Sequence, residues 1–436
     1  MPHKEDVIEI FCHAVNMVKP DTLMANTVYV ADNILYVNNI HCADLSTFGN
    51  IYITGAGKAV SLMAAHIENI LGNRVYTGQI IPKYHHSIPL KKIIQTEASH
   101  PIPDENSVIH TLQIINVVQK LGSNDLVIML ISGGGSALMT DLPPFTSLDN
   151  IKQLSQLLLS SGADIHEINC VRKHISQIKG GGFARLAYPA NIVSIILSDV
   201  IGNSLSVIAS GLTAPDSTTY SDALDILEKY KITAKVPAPI LTHLLHGKQG
   251  VTPETPKSGD KIFDRVKNHI IGSNLIALKY AKSKAETLGY EAVIVTDTLC
   301  DDVEVVADII SHTLLQAKVE KPTCFIFGGE PTVSVTGTGL GGRNQHLAML
   351  MAAKIDGKQN ITFLSAGTDG TDGPTNAAGA VVNYETTANS TKQKIDIQNY
   401  ITNNDSYHYF SKAGGHLFTG PTQTNVMDIM LGIVTP

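Results

Sequence analysis

Lys58, Asp199, Glu330, Arg343, Asp369 and Asp372 are the residues of this chain whose surroundings suit chemistry: each stands at or near a glycine-bearing loop that follows a short apolar run. Together they form the inventory that phosphoryl transfer needs. Its transition state spreads negative charge over oxygens, which lysine and arginine stabilise, while carboxylates hold magnesium or accept the substrate's proton. Glycine-loop amides can approach an anion closely, above all where a helix begins. Taken singly, each charged residue reads as well as a surface ion pair, and each glycine cluster as a tight turn. Their recurrence at several strand ends is what favours a site.

Familiar motifs do not account for these residues. A P-loop needs glycine five positions ahead of its glycine–lysine pair and Ser or Thr after it, but Gly57-Lys58 has Tyr52 and Ala59 there. Gly134-Gly135-Ser136-Ala137-Leu138 lacks the closing glycine of a nucleophile elbow. Gly337-Thr338-Gly339-Leu340-Gly341-Gly342 satisfies GxGxxG after a strand-like Thr332–Val335, yet the acid expected about 20 residues on would be Asp356, in a polar turn. Among 17 histidines there is no HExxH and no Cys/His zinc spacing, so His85, His86 and His100 read as loop or packing residues. Asp369-Gly370-Thr371-Asp372-Gly373 misses the calcium-loop spacing and suits water-rich magnesium, or a turn.

Composition narrows the class. At 436 residues two or three domains are expected, and 43% hydrophobic against 16% charged residues means most of the chain is packed. A net charge of −7 offers no basic field to nucleic acid. Five scattered cysteines without a CxxC pair suit reduced thiols. No apolar run approaches the roughly 18 residues of a membrane span, and Met1–Asp6 has no signal-peptide character. A cytoplasmic protein, without nucleic-acid or membrane partners, is expected.

The elements that must position the charged residues alternate between strand and helix. Val7, Ile10, Phe11, Ala14, Val15 and Val18 predict an opening amphipathic helix packed on the first domain. Ile51–Thr54, Leu126–Ile131 and Asn191–Leu197 read as strands, each running into a polar or glycine loop, with a crossover helix near Asn106–Leu121. Prolines and glycines from Pro237 to Gly259 suggest an inter-domain connection, with a boundary near residue 240. A second series follows at Ile270–Asn274, Ala292–Val295, Cys324–Phe327 and Ile361–Leu364. This pattern predicts an α/β class with mostly parallel sheets, whose ligands bind beyond the carboxyl ends of the strands.

The residues also carry a resemblance. Ile53-Thr54-Gly55-Ala56-Gly57-Lys58-Ala59, Ser99-His100-Pro101-Ile102-Pro103-Asp104, Ser132–Leu138, Ile178-Lys179-Gly180-Gly181, Leu197-Ser198-Asp199-Val200 and Gly341–Gln345 resemble, in order, the glycerate 2-kinases of the MOFRL family. Ser365–Pro374 and Gly420–Val426 continue the match, so it covers nearly the whole chain. The resemblance implies ATP-dependent phosphorylation of D-glycerate at its 2-hydroxyl, with magnesium. It also implies a Rossmann-like domain and a smaller α/β (MOFRL) domain flanking an interdomain cleft. We expect the Rossmann-like domain over 1–240, to which 401–436 could return, and the smaller one over 241–400. By motif match Lys58, Asp199 and Arg343 are the expected catalytic residues.

Lys58 would steady the phosphoryl group, Arg343 bind carboxylate or phosphoryl oxygens, and Asp199 act as base or magnesium ligand, with Glu330 a second metal ligand. Ser132, Gly133, Gly134, Gly135, Ser136 and Lys179 are expected to cradle substrate; Gly55, Gly57, Gly328, Gly329, Glu330, Asp369 and Asp372 are expected on the nucleotide side. One departure from the family pattern lies at Thr298–Val305, which lacks the usual Gly-Glu-Ala run, so contacts on that side can differ. A reductase acting on hydroxypyruvate with NAD(P)H, resting on Gly337–Gly342, and a sugar-acid-binding regulator are the competing readings. A monomer or homodimer suits any of the three.

Overall fold

The apolar runs at Ile51–Thr54, Leu126–Ile131 and Asn191–Leu197 form parallel strands because helices follow each of them and return the chain to the same end of a sheet. A computed structural model describes residues 2–436. Three short strands, β1 (Val28–Ala31), β2 (Ile34–Val37) and β3 (Ile40–Asp44), form a small antiparallel sheet. Then come β4 (Asn50–Ala56), β5 (Val75–Ile81), β6 (Ile93–Gln95), β7 (Asp125–Ile131), β8 (Asn191–Leu197) and β9 (Val266–Gly272), in the order β6-β5-β4-β7-β8-β9. The pairings from β6 to β8 are parallel. Every side chain of β7 after Asp125 is buried, as expected for a strand covered on both faces.

The chain divides into two compact units: one comprises residues 23–198 and 203–271, the other residues up to 22, 199–202 and 272–436. These bounds differ from the expected 1–240 and 241–400 for physical reasons. Pro237 and Pro239 open the helix Ala238–Lys248 rather than a linker, since proline is tolerated in a first turn that lacks intrahelical N–H partners. Its Ile240 and Leu244 are fully buried in a core with Leu154, Leu158, Val171 and Leu227. Ile270 and Ile271 likewise belong to β9, which joins the first sheet instead of opening the second.

The second unit is built on β10 (Glu291–Leu299), β11 (Thr323–Gly329), β12 (Ile361–Gly367), β13 (Gly379–Asn383), β14 (His416–Leu417) and β15 (Asp428–Val434), in the order β10-β11-β15-β12-β13-β14. Only β10 and β11 run parallel; the other pairings are antiparallel, so the expectation of mostly parallel sheets holds for the first sheet and not for this one. The last strand, β15, lies in the middle. Residues 401–436 therefore complete this unit, not the first. The opening helix, Pro2–Met17, with Val7, Ile10, Phe11 and Ala14 fully buried, packs on the helix Asn274–Thr287 and on β12 and β15, so it too belongs here. No helix among the described residues is long and apolar enough to cross a membrane.

Candidate functional site

In the first sheet the chain moves outward from β4 to β5 and β6, then returns to place β7 on the other side of β4. That reversal makes the carboxyl ends of β4 and β7 a topological switch point, where open α/β sheets bind ligands. The loop after β4 carries Lys58 and the loop after β7 is Ser132-Gly133-Gly134-Gly135-Ser136, so both expected segments occupy it.

Hydrogen bonds lock the two loops together. The Lys58 amide donates to the Gly133 carbonyl at 2.9 Å, and the Ala59 amide donates to Ser132 Oγ at 3.0 Å. Gly57 allows this approach: with φ +148°, it would place a Cβ 2.0 Å from Ser132 Oγ. Lys58 is half-buried, and His86 Nδ1 lies 2.9 Å from its carbonyl oxygen. Opposite, the His100 ring covers Gly134, whose Cβ would fall 2.8 Å from His100 Cδ2. Burial, reinforced by the charges of Lys58 and Lys83, pushes the His100 imidazole down to about 4, so it is neutral at neutral pH. The expectation of a plain loop histidine missed this placement against the glycine loop.

The remaining expected contacts of this unit support the cradle from behind. Ser136 Oγ lies 2.6 Å from Ser210 Oγ, which donates to Asn169 Oδ1 at 2.9 Å. Ala209 and Ser210 both hold left-handed backbone, uncommon for residues other than glycine, and the Ala209 methyl abuts Gly135. Gly180 N and Gly181 N donate to the carbonyls of Ser210 and Gly211. Lys179 itself is buried, its Nζ donating to the Met139 carbonyl at 2.8 Å. Burial pushes that amine down to about 8, only partly offset by Asp141. Its ammonium thus holds the Met139 end of the glycine loop. Asp199, which the division of the chain assigns to the other unit, follows β8 by two residues and is half-buried, at the carboxyl end of a strand as expected.

In the second unit Arg343 begins the helix Arg343–Lys354. Nε donates to Asp428 Oδ2 at 2.6 Å and Nη2 to Oδ1 at 3.1 Å, while Nη1 lies 3.0 Å from Glu330 Oε1. Against the cost of burial, these two carboxylates raise the guanidinium's already high pKa further. Gly328, Gly329 and Glu330 end β11 beside this group. Glu330, expected to hold metal, is here exposed and paired with Arg343.

Asp372 is 3% exposed and caps the arginine's helix. Its oxygens accept from the Asn344 and Gln345 amides at 3.0 and 2.8 Å. Burial pushes its carboxyl up, against those bonds. Asp369 accepts from the Thr371 amide in a turn. The structure therefore brings Glu330, Arg343 and Asp372 together, with Asp372 acting on the helix start. Asp428 was missed because nothing local marks it: it is one acid before an apolar strand, 85 residues from its partner.

The stretch from Gly337 to Gly342 does not build a dinucleotide loop. The strand expected over Thr332–Val335 does not form, since Thr332 makes only an isolated bridge and β11 ends at Gly329. Gly337 and Gly339 pack against the 403–405 backbone, where a Cβ would meet Asn403 and Asp405. The Gly339 amide donates to the Asn403 carbonyl, so the loop closes on protein. The departure at Thr298–Val305 takes the form of a capped helix start, Asp302 accepting from the Glu304 amide.

Comparison with known proteins identifies the family. Residues 6–245 match a family described as a domain of unknown function (DUF4147), and residues 323–428 match the MOFRL family. A D-glycerate 2-kinase of Thermotoga maritima is 41% identical over 391 residues, covering 88% of this chain and 90% of its own. A glycerate 2-kinase of Pyrococcus horikoshii is 38% identical over 441 residues, covering 100% and 98%. The crystal structure of a Thermotoga maritima glycerate kinase superposes with a TM-score of 0.87 at 38% identity, covering 99% of both chains. None of these relatives is named a reductase, and with no strand running into Gly337–Gly342 that reading has no support. By sequence along nearly its whole length, and by fold, this chain belongs to the MOFRL family of glycerate 2-kinases.

Proposed function

We propose that the protein transfers a phosphoryl group from ATP to the 2-hydroxyl of D-glycerate, releasing ADP and 2-phosphoglycerate. The observation that carries the reading is the pair of interlocked loops at the β4/β7 switch point, where Lys58 stands beside the glycine run Gly133–Gly135 without a P-loop. Relatives named glycerate 2-kinase supply the substrate class.

In this reading Lys58 stabilises charge on the transferring phosphoryl group, and the amides around Gly133 and Gly134 cradle an anionic group of nucleotide or glycerate. His100, neutral over Gly134, contributes a hydrogen-bonding edge without adding charge. Arg343 binds carboxylate or phosphoryl oxygens, and Asp199 accepts the hydroxyl proton as the new O–P bond forms.

Among the described residues no group of three or more His, Cys, Asp or Glu side chains could hold a metal unaided. Magnesium needs less, because it keeps several waters and binds chiefly through phosphates with one or two carboxylates. Glu330, exposed and engaging Arg343 through one oxygen, fits as such a carboxylate, as does Asp199. When bound, magnesium supplies charge neutralisation on the phosphates. The test is a coupled assay: purified protein with ATP, magnesium and D-glycerate should form ADP and a product that enolase consumes directly. Absence of ADP above background sinks the proposal, and a product that enolase cannot use reassigns the position of transfer.

A further inference from the structure

Asp428 grips one edge of the Arg343 guanidinium with two parallel bonds, Nε to Oδ2 at 2.6 Å and Nη2 to Oδ1 at 3.1 Å. This is the planar fork geometry that arginine makes and lysine cannot. Asp428 is 1% exposed. It is the first residue of β15, the strand in the middle of its sheet, and stands opposite Gly329 of β11 on one side and Gly367 of β12 on the other. The absence of a side chain at Gly367 leaves room for the carboxylate, since a Cβ there would lie only 3.4 Å from Oδ1. Asn274 Nδ2 donates to the Asp428 carbonyl at 2.9 Å, so the main chain is fixed as well. From the other side, Asp372 fixes the first turn of the arginine's helix through the Asn344 and Gln345 amides. A guanidinium has five N–H donors. Asp428 takes two and Glu330 one, which leaves one hydrogen on each Nη for a further oxyanion.

We propose that Asp428 is the positioning residue for Arg343: it fixes the rotation of the guanidinium so that both Nη groups present a hydrogen to paired anionic oxygens, those of a hydroxy-acid carboxylate or of a phosphoryl group. The inference rests on the reading of Arg343 as a substrate-contacting group. A purely structural Asp428 would hold β15 in place and affect folding, not turnover.

The coupled kinase assay on wild type and variants separates the two. Asp428→Asn is expected to fold, by circular dichroism and thermal midpoint, while kcat falls about a hundredfold, the scale of a small misplacement of a reacting group. In Arg343→Ala, added low-millimolar guanidinium should restore part of the lost turnover, because the Asp428 cradle is still there. In Arg343→Ala combined with Asp428→Asn, the same addition should restore nothing. An unchanged kcat in folded Asp428→Asn overturns the proposal, and so does an equal response to guanidinium in both backgrounds, zero included. Should Asp428→Asn fail to fold, Arg343→Lys replaces it: a charge without a fork should lose turnover comparably, and wild-type turnover overturns the proposal. Wild-type turnover in Arg343→Ala would instead remove the role of Arg343, and an inactive wild type would remove the proposed function itself.

Discussion

His174 is fully buried and His100 half-buried, yet their partners send them in opposite directions. Burial alone would lower His174, but its two ring nitrogens face acceptors, the Cys170 carbonyl at 2.8 Å and Glu254 Oε1 at 2.9 Å, and these hold it up to about 9. Folding thus favours the imidazolium. A raised pKa adds stability that is fully present below about pH 6.5 and lost as pH rises through about 9. For a shift of this size the loss is on the order of 3 kcal/mol. Lys179, pushed down to about 8 by burial, acts in the opposite sense above pH 8. The denaturation midpoint should therefore fall between pH 6.5 and 8 in the wild type, and His174→Gln should flatten that slope. An equal slope in both proteins would remove the assignment. His100, which faces Lys58 and Lys83, should show no imidazole titration between pH 5.5 and 8 by nitrogen-resolved NMR. Lys58 and the Ser132–Ser136 run were legible in sequence because glycine and charge cluster within a few residues. Asp428 and the His174 network were not, because each joins segments far apart in the chain.

The interlock between the loops after β4 and β7 belongs to two strand–loop–helix elements at once. Ser132 Oγ takes the Ala59 amide at the head of the helix Val60–Leu71, an amide that no side chain of that helix caps. Ser132→Ala should cost about 1 kcal/mol, typical of a lost helix cap, seen as a lower denaturation midpoint. Gly57→Ala should do far more harm. Its φ of +148° disfavours any L side chain, and the added methyl would fall 2.7 Å from the Ser132 carbonyl oxygen. We expect a loss beyond about 3 kcal/mol, or failure to accumulate as soluble protein, while Gly72→Ala, with nothing within 4 Å, serves as the control for left-handed backbone alone. The parallel strands β4, β7 and β8 were readable as short apolar runs ending in loops. β13 and β15 are buried along their whole length and show no alternation, so their antiparallel pairing left no mark in the sequence.

For the molecule as a whole, the opening helix belongs to the same unit as residues 272–436, although the other unit lies between them in sequence. The opening helix buries Val7, Ile10, Phe11, Ala14 and Val15 against elements that begin at Asn274. At about 1.5–3 kcal/mol for each large apolar side chain, its packing contributes on the order of 10 kcal/mol, comparable to the entire stability of an ordinary domain. A fragment of residues 272–436 should therefore lack cooperative unfolding by circular dichroism, and supplying residues 2–22 through a flexible linker should restore it. Sequence periodicity revealed the helix but assigned it to its neighbour in the chain, because amphipathicity marks a buried face without naming what covers it. The same arrangement constrains synthesis. The helix is made before the first sheet, and β15, which lies in the middle of the second sheet and carries the partner of Arg343, is translated after every other strand of that sheet. The first sheet can close while translation continues, but the second must wait for its centre. A chain broken off before Asp428 cannot display the arginine in its paired form.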